Sequence, residues 1–521
     1  MPLTRRDFLK LSSLAAAGVA ATACSEVSRQ LHQSDLPDEL LLADPTASPD
    51  GLPAQTGSAA GLPAIDVDPV WRLLNRAGYG PRPGDISAAR NLGLAAYLEQ
   101  QLAWEAIDDS AADLYVRGLT LYNMEIGELV EQEARDAAIE LASVTYARAL
   151  MSKRQLYEAM VEFWSDHFNI YVRKNQVMLF LKIVDDRDVI RPHALGKFRD
   201  LLWASAQSPA MMAYLDNVQN NKGEPNENYA RELMELHTLG VDGGYDQQDV
   251  QELARALTGL HVGRRGRRQG QLVFNENQHD TGAKVILGET LPAGQTVQQD
   301  LNQLLELLVT HPSTARFIAT KLVRRFVADE PPASLIDRVA TTYLETDGDI
   351  KSMLRVIFLS EEFATAPPKL KRPYTFMMSA LRALHVDFSP GRRASRGLTD
   401  WLNQMGQPRH LWPPPDGYPD VSAAWASNLL PRWNFSLALA RNSLPGINVP
   451  LEAIVSAAGV STSPEIIGLF GQIAGGRALD PATAELLTNY VSAGPPNNRA
   501  VRADLEDAVG LLFASPTFQW T

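Results

Sequence analysis

From Asp66 onward the chain is a succession of segments with helical periodicity, broken at glycine and proline. This pattern limits what the chain can fold into more than any other feature. The spacing predicts helices over 68–77, 84–106, 125–183, 195–218, 226–239, 247–260, 296–309, 313–328, 333–346, 349–361, 371–386, 395–405 and 430–442. In Thr346-Asp347-Gly348-Asp349, Gly348 is placed to stop one helix and Asp349 to cap the next. Asp246, three residues before Asp249, reads as another N-cap. Strand signals are few. Residues 271–275 and 284–288 are expected to pair as a hairpin around a loop holding His279 and Asp280. The expected fold class is therefore mainly α: a multi-helix globular body with a small β-hairpin element, and a division into two lobes placed near 290–310.

The first residues read as an address. Thr4-Arg5-Arg6-Asp7-Phe8-Leu9-Lys10 matches the twin-arginine export pattern, and a short apolar run, 11–23, follows it. That run is shorter than the roughly 20 residues a membrane span needs, so residues 1–23 are expected to be a signal peptide handled by the twin-arginine translocase. Ala21-Thr22-Ala23-Cys24 resembles a bacterial lipobox, although leucine is commoner where Ala21 stands. Cys24, the only cysteine, is the expected lipidation site and membrane anchor. A single cysteine excludes an intrachain disulfide and any cysteine-based metal cluster. Residues 24–65, rich in Ser, Asp, Pro, Gly and Ala, read as a flexible tether. The body is then 66–521. Removing residues 1–23 takes away three bases (Arg5, Arg6, Lys10) and one acid (Asp7), leaving 45 bases and 60 acids. So acidic a body disfavours nucleic acid, whose binding rests on Lys and Arg.

Eight motifs come in a fixed order: LLNRAGYGPRPGDI (73–86), FWSDHFNIYV (163–172), NYARELMELHTLGVDGGYDQQDVQELARALTGLHV (228–262), HDTGAKVILG (279–288), HPSTARFIATKLVRRFV (311–327), TDGDIKSMLRVIFLSEEF (346–363), KRPYTFMMSALRAL (371–384) and MGQPRHLWPPPDGYP (405–419). Together they resemble the bacterial family called domain of unknown function 1800, from about Asp66 to about residue 445. The resemblance implies export, a largely helical fold and no established activity. It also implies a partner, since this family commonly neighbours a second exported family similar to alkaline phosphatases and sulfatases.

The chemistry concentrates in three places. On a helical wheel over 226–240, Asn228, Glu232 and Glu235 share one face with Arg231 beside them, while His237 extends the apolar face. A metal site on that helix alone is excluded, because Glu235 and His237 stand two residues apart. The helix is either a solvated face with an Arg231–Glu235 pair or one wall of a polar core. Asp166 and His167, in an aromatic segment, are a second candidate pair. His279 and Asp280 are a third, with Asp280 orienting His279, or with His279 and His167 joining an acid around Zn²⁺ or Fe²⁺. The alternative for Asp280 is a turn with Thr281 and Gly282. The WSDHF phrase also carries a faint likeness to haem peroxidases. No H-E-x-x-H, P-loop, G-x-S-x-G or C-x-x-C-H motif is present.

Two surface segments stand apart. Residues 263–270, GRRGRRQG, are a basic loop, either simply solvated or suited to anionic lipid, lipopolysaccharide or an acidic partner. Residues 405–419, with Trp412, Tyr418 and then Trp425, form either an aromatic platform or a strap across the helices. These features lead to two functional expectations. One is a metal-assisted enzyme, a hydrolase before an oxidoreductase, with Glu232, Glu235, His279 and Asp280 as catalytic groups and Asp166, His167 and His279 as metal ligands. The other is a non-catalytic envelope scaffold or binding module beside the phosphatase-like partner.

Overall fold

Asp68 opens the first helix, Pro69–Arg76, by accepting hydrogen bonds from the Val70 and Trp71 amides. Pro69 stands in the first turn, where its missing N–H is not needed. The structure is a computed structural model that describes residues 68–263, 269–491 and 499–521. Arg5, Arg6 and Cys24, the tether, and most of the basic loop lie outside the described residues.

The body is mainly helical, with three two-stranded antiparallel sheets among the described residues. Helix boundaries follow the punctuation. Asp349 caps Ile350–Phe358 by accepting from the Ser352 amide, and Gly348 before it holds φ at +72°. Asp246 and Asp249 form a reciprocal capping box on Gln247–Ala256. The segment 84–106 divides at Gly93 into Asp85–Leu92 and Leu94–Leu102, because Gly93 takes φ +84°. The segment 125–183 likewise divides, into Ile126–Leu129, Ala134–Met151, Gln155–His167 and Met178–Asp185.

The expected hairpin is corrected. Leu272–Phe274 pairs with Leu260–Val262, and Lys284–Ile286 pairs with Glu289–Leu291. Leu287 and Gly288 both take positive φ, which closes a two-residue turn and satisfies 284–286 locally. The helix predicted to reach 260 stops at Ala256, and Leu260–Val262 becomes a strand. Beyond 442, where no helix is predicted, Leu451–Ala458, Ser463–Gly475, Pro481–Tyr490 and Arg499–Ala514 follow. Their alanine-rich sequences carry a weak apolar period.

Buried apolar side chains form two large clusters. One draws on residues between Leu73 and Ala366. The other runs from Tyr374 to Phe518, with Tyr79, Tyr146, Ala149 and Leu150 reaching across. The changeover falls between Ala366 and Tyr374, not at 290–310, where Val297–Thr310 and Pro312–Phe326 pack into the same cluster. Among the described residues no single helix is long and apolar enough to cross a membrane. The pair Leu451–Ala458 and Ser463–Gly475, bent by 103°, passes that test only when taken together.

Candidate functional site

The helix Gln155–His167 runs along the junction of the two clusters and is buried nearly throughout. Leu156, Met160, Phe163 and Trp164 belong to the first cluster. Glu158, Glu162 and Asp166 stand at i, i+4 and i+8, so they share another face. Buried acids need paired cations, and four arginines from distant parts of the chain supply them.

Glu162 lies 3.1 Å from Arg325 and also meets Arg372, while Tyr79 donates to its Oε2 at 2.9 Å. Asp166 bridges Arg372 at 2.9 Å and Arg409 at 3.0 Å. Glu158 pairs with Arg191 at 3.0 Å, and Arg191 reaches Asp186 at 2.9 Å. At the outer edge Lys369 holds Asp329 at 2.7 Å and Asp420 at 3.5 Å. Burial alone would raise the Glu162 carboxyl, but Arg325, Arg372 and Arg409 outweigh it and hold the pKa at about 2. Asp186, against the same burial, is held at about 2 by Arg191 and Lys182. Between these groups lies a void of 20 Å³, lined by Tyr79, Glu158, Glu162, Arg191, Arg409 and His410 among others. That is room for a water, not for a substrate.

The proline-rich segment seals this centre as a strap. Asn169 donates to the carbonyls of Trp412 and Pro414, and Tyr214 to that of Pro413. A Cβ on Gly417 would fall 2.0 Å from the Asp166 carbonyl oxygen, and Gly417 takes φ +75°. Only glycine fits there. Tyr418 and Trp425 are buried with Leu370, against Trp412 and Trp520, so they present no open aromatic platform.

The predicted site residues separate into distinct surroundings. Asp166 faces the arginines, whereas His167 faces Phe168, Phe198 and Phe317. The 226–240 stretch is an α-helix over Glu227–Glu232 that widens into a π-helix over Leu233–Thr238. His237 is wholly buried, and its carbonyl oxygen lies 3.1 Å from His167 Nε2. Burial, with Lys321 nearby, lowers the His237 pKa to about 3 and pushes His167 down as well. Glu232 and Glu235 are only half-buried, and the expected Arg231–Glu235 pair is replaced by Arg231–Glu227 at 3.0 Å. Burial, then Glu235, raises the Glu232 carboxyl. This face is thus a largely solvated one, not a buried polar wall.

Asp280 does not orient His279. It pairs with Arg255 at 2.8 Å and accepts from the Gly282 amide, the turn given above as its alternative. His279 lies instead 3.1 Å from Asp300, which also meets Lys284 at 2.7 Å. The expected metal set of Asp166, His167 and His279 is not assembled. Among the described residues no three His, Cys, Asp or Glu side chains converge to hold a metal ion.

The family described as "Protein of unknown function (DUF1800)" matches residues 72–520, most of the chain. The chain belongs to that family. No curated protein and no solved structure matches it. The match extends the quoted motifs through the C-terminal helices, so both apolar clusters lie within the DUF1800 region. The centre of this DUF1800 protein rests on residues not singled out as site candidates: Glu158 and Glu162, which precede the FWSDHFNIYV motif, and Arg325, Arg372 and Arg409, which stand inside quoted motifs. A signal existed. Acids repeat at four-residue spacing through an otherwise apolar helix, and Arg372 and Arg409 each adjoin a proline-marked break.

Proposed function

We propose that this DUF1800 chain is an exported protein of the bacterial cell envelope, lipid-anchored through Cys24, that works as a non-catalytic scaffold or binding module. One observation carries the reading. The acids of the central cluster close on arginine and lysine, and the void among them holds a water at most. Such a centre fixes the junction of two packed clusters and offers no approach to a reacting molecule. The Arg5-Arg6 pattern supports export, and the family's genomic company supports an exported phosphatase- or sulfatase-like partner. The test is sedimentation of the purified full chain with that partner, alongside metal analysis of protein taken from its own export route. A stoichiometric complex and a metal-free, folded chain are expected. About one equivalent of a transition metal, lost in His167→Ala or His279→Ala, would overturn the reading.

A specific observation also favours an enzyme. Lys321 is partly exposed, and burial lowers its amine to about 8 although Asp166, Asp416 and Asp420 pull the other way. A lysine amine lowered in this way is suited to proton transfer. Hydrolysis abolished by Lys321→Met in a fully folded protein would establish this second reading over the first.

A further inference from the structure

Lys284, Asp300 and His279 form a sealed trio outside the central cluster. Each side chain is at most 1% exposed. Lys284 Nζ stands 2.7 Å from Asp300 Oδ2, and His279 Nε2 stands 3.1 Å from the same oxygen. Neither Asp300 oxygen has a hydrogen-bond partner of proper geometry. A wholly buried ion pair without such bonds is a poor resting state, because desolvation offsets its attraction. The surroundings fix the amine. It donates to the carbonyls of Asp280 and Gly282, which hold it beside Asp300. They also fix the imidazole. Its Nδ1 lies 2.8 Å from the Thr258 carbonyl oxygen, an acceptor only, so Nδ1 carries a proton and Nε2 faces Asp300.

We propose that Lys284 and Asp300 join in an intramolecular isopeptide bond, with His279 moving the protons. A proton passes from Nζ to Oδ2, removing both charges from a site closed to solvent. The amine lone pair then attacks Asp300 Cγ. His279 Nε2 takes a proton from the nitrogen of the tetrahedral adduct and returns it to the departing hydroxyl. One C–N bond forms and one C–O bond breaks. The ammonium and carboxylate become an amide and one water, with no oxidant, reductant or added group. The link ties the Lys284–Leu291 hairpin to the first turn of Val297–Thr310. It staples a chain whose single cysteine allows no internal disulfide.

The experiment is peptide mapping of the purified full chain by tandem mass spectrometry after complete denaturation and digestion. The expected result is a branched peptide joining Lys284 to Asp300, lighter by one water than its two linear parts, with nearly all of the linear Lys284 peptide lost. Folded protein that yields both linear peptides at full mass and no branched species would overturn the proposal. This reading needs no variant, so a mutant that fails to fold does not blunt it. Lys284→Met and Asp300→Ala should each abolish the branch. His279→Gln should leave the ends mostly unlinked in protein that is folded by circular dichroism, and full linkage there would overturn the role given to the imidazole.

Discussion

The two buried charged regions of this molecule solve the same problem differently. Around Glu162 and Asp166, carboxylates accept from several guanidinium groups and a tyrosine hydroxyl, and the charges balance through directed bonds. Around Asp300, one carboxylate meets one amine and one imidazole at close range without good hydrogen-bond geometry. The first arrangement is a network in which every oxygen of Glu162 and Asp166 accepts, although Nε of Arg372 and of Arg409 has no partner. The second is a contact poised for change. Burial by itself therefore does not mark a reactive site. What separates Glu162 and Asp166 from Asp300 is whether the buried carboxylate is satisfied.

The sharpest way to break this comparison is to remove the acid that the arginines share. Glu162→Ala leaves Arg325 and Arg372 without that partner, in a buried site. Breaking a buried pair on one side typically costs about 3–5 kcal/mol. We expect a loss of that order in the guanidinium denaturation free energy, with both apolar clusters loosening together. A loss below about 1 kcal/mol would show that the network is not what holds the junction.

A second blow strikes the lid and leaves every charge in place. Gly417→Ala puts a methyl group against the Asp166 carbonyl and forces a left-handed backbone on a residue with a Cβ. The backbone term alone is roughly 1–3 kcal/mol, and the clash adds to it. The measurable outcome is faster proteolysis within 405–419 and a lower thermal midpoint. An unchanged midpoint would mean that the strap lifts freely from the helix end.

Acid should loosen the molecule in two windows. The folded His237 pKa, about 3, lies below its ordinary 6.5, so the unfolded chain binds the extra proton. Its contribution is complete above about pH 6.5 and is lost as pH falls toward 3, at on the order of 1 kcal/mol per pH unit. His167 shifts in the same direction through burial. Glu162 and Asp186, held at about 2, contribute fully above the ordinary carboxyl range and are lost as pH falls toward 2. Denaturation midpoints measured from pH 7 to 3 should fall, and His237→Gln should flatten the upper part of that curve. Midpoints independent of pH between 6.5 and 4 would contradict the burial of a neutral His237.

Much of the fold was legible in the sequence because it is written locally. Asp349 and Asp246 cap where their spacing places them, and Gly348 takes the left-handed conformation that stops the helix before it. The strand pairing misled, because a two-residue turn at Leu287-Gly288 outcompeted the longer hairpin. The site was legible only in part. The wheel put His237 on the apolar face, and it is buried. Which partner a charge finds is a long-range matter. Asp280 and Asp300 stand only twenty residues apart, yet no local rule assigns His279 to the second.

That assignment yields the smallest expected effect and the finest cut between the two regions. Asp280 pairs with Arg255 at a partly exposed position, and burial of its carboxyl is outweighed first by that arginine. Arg255 keeps Glu252 at 2.7 Å when Asp280 is lost, so no charge is stranded. Pairs of this kind contribute at most about 1 kcal/mol. Asp280→Asn should therefore shift the denaturation midpoint only slightly, and it retains the backbone carbonyl that receives Lys284 Nζ. If His279 depended on Asp280, this substitution would disturb the imidazole as strongly as the loss of Asp300. The imidazole nuclear magnetic resonances of His279, followed in Asp280→Asn and in Asp300→Asn, decide between the two acids. We expect them to be nearly unchanged in the first and displaced in the second.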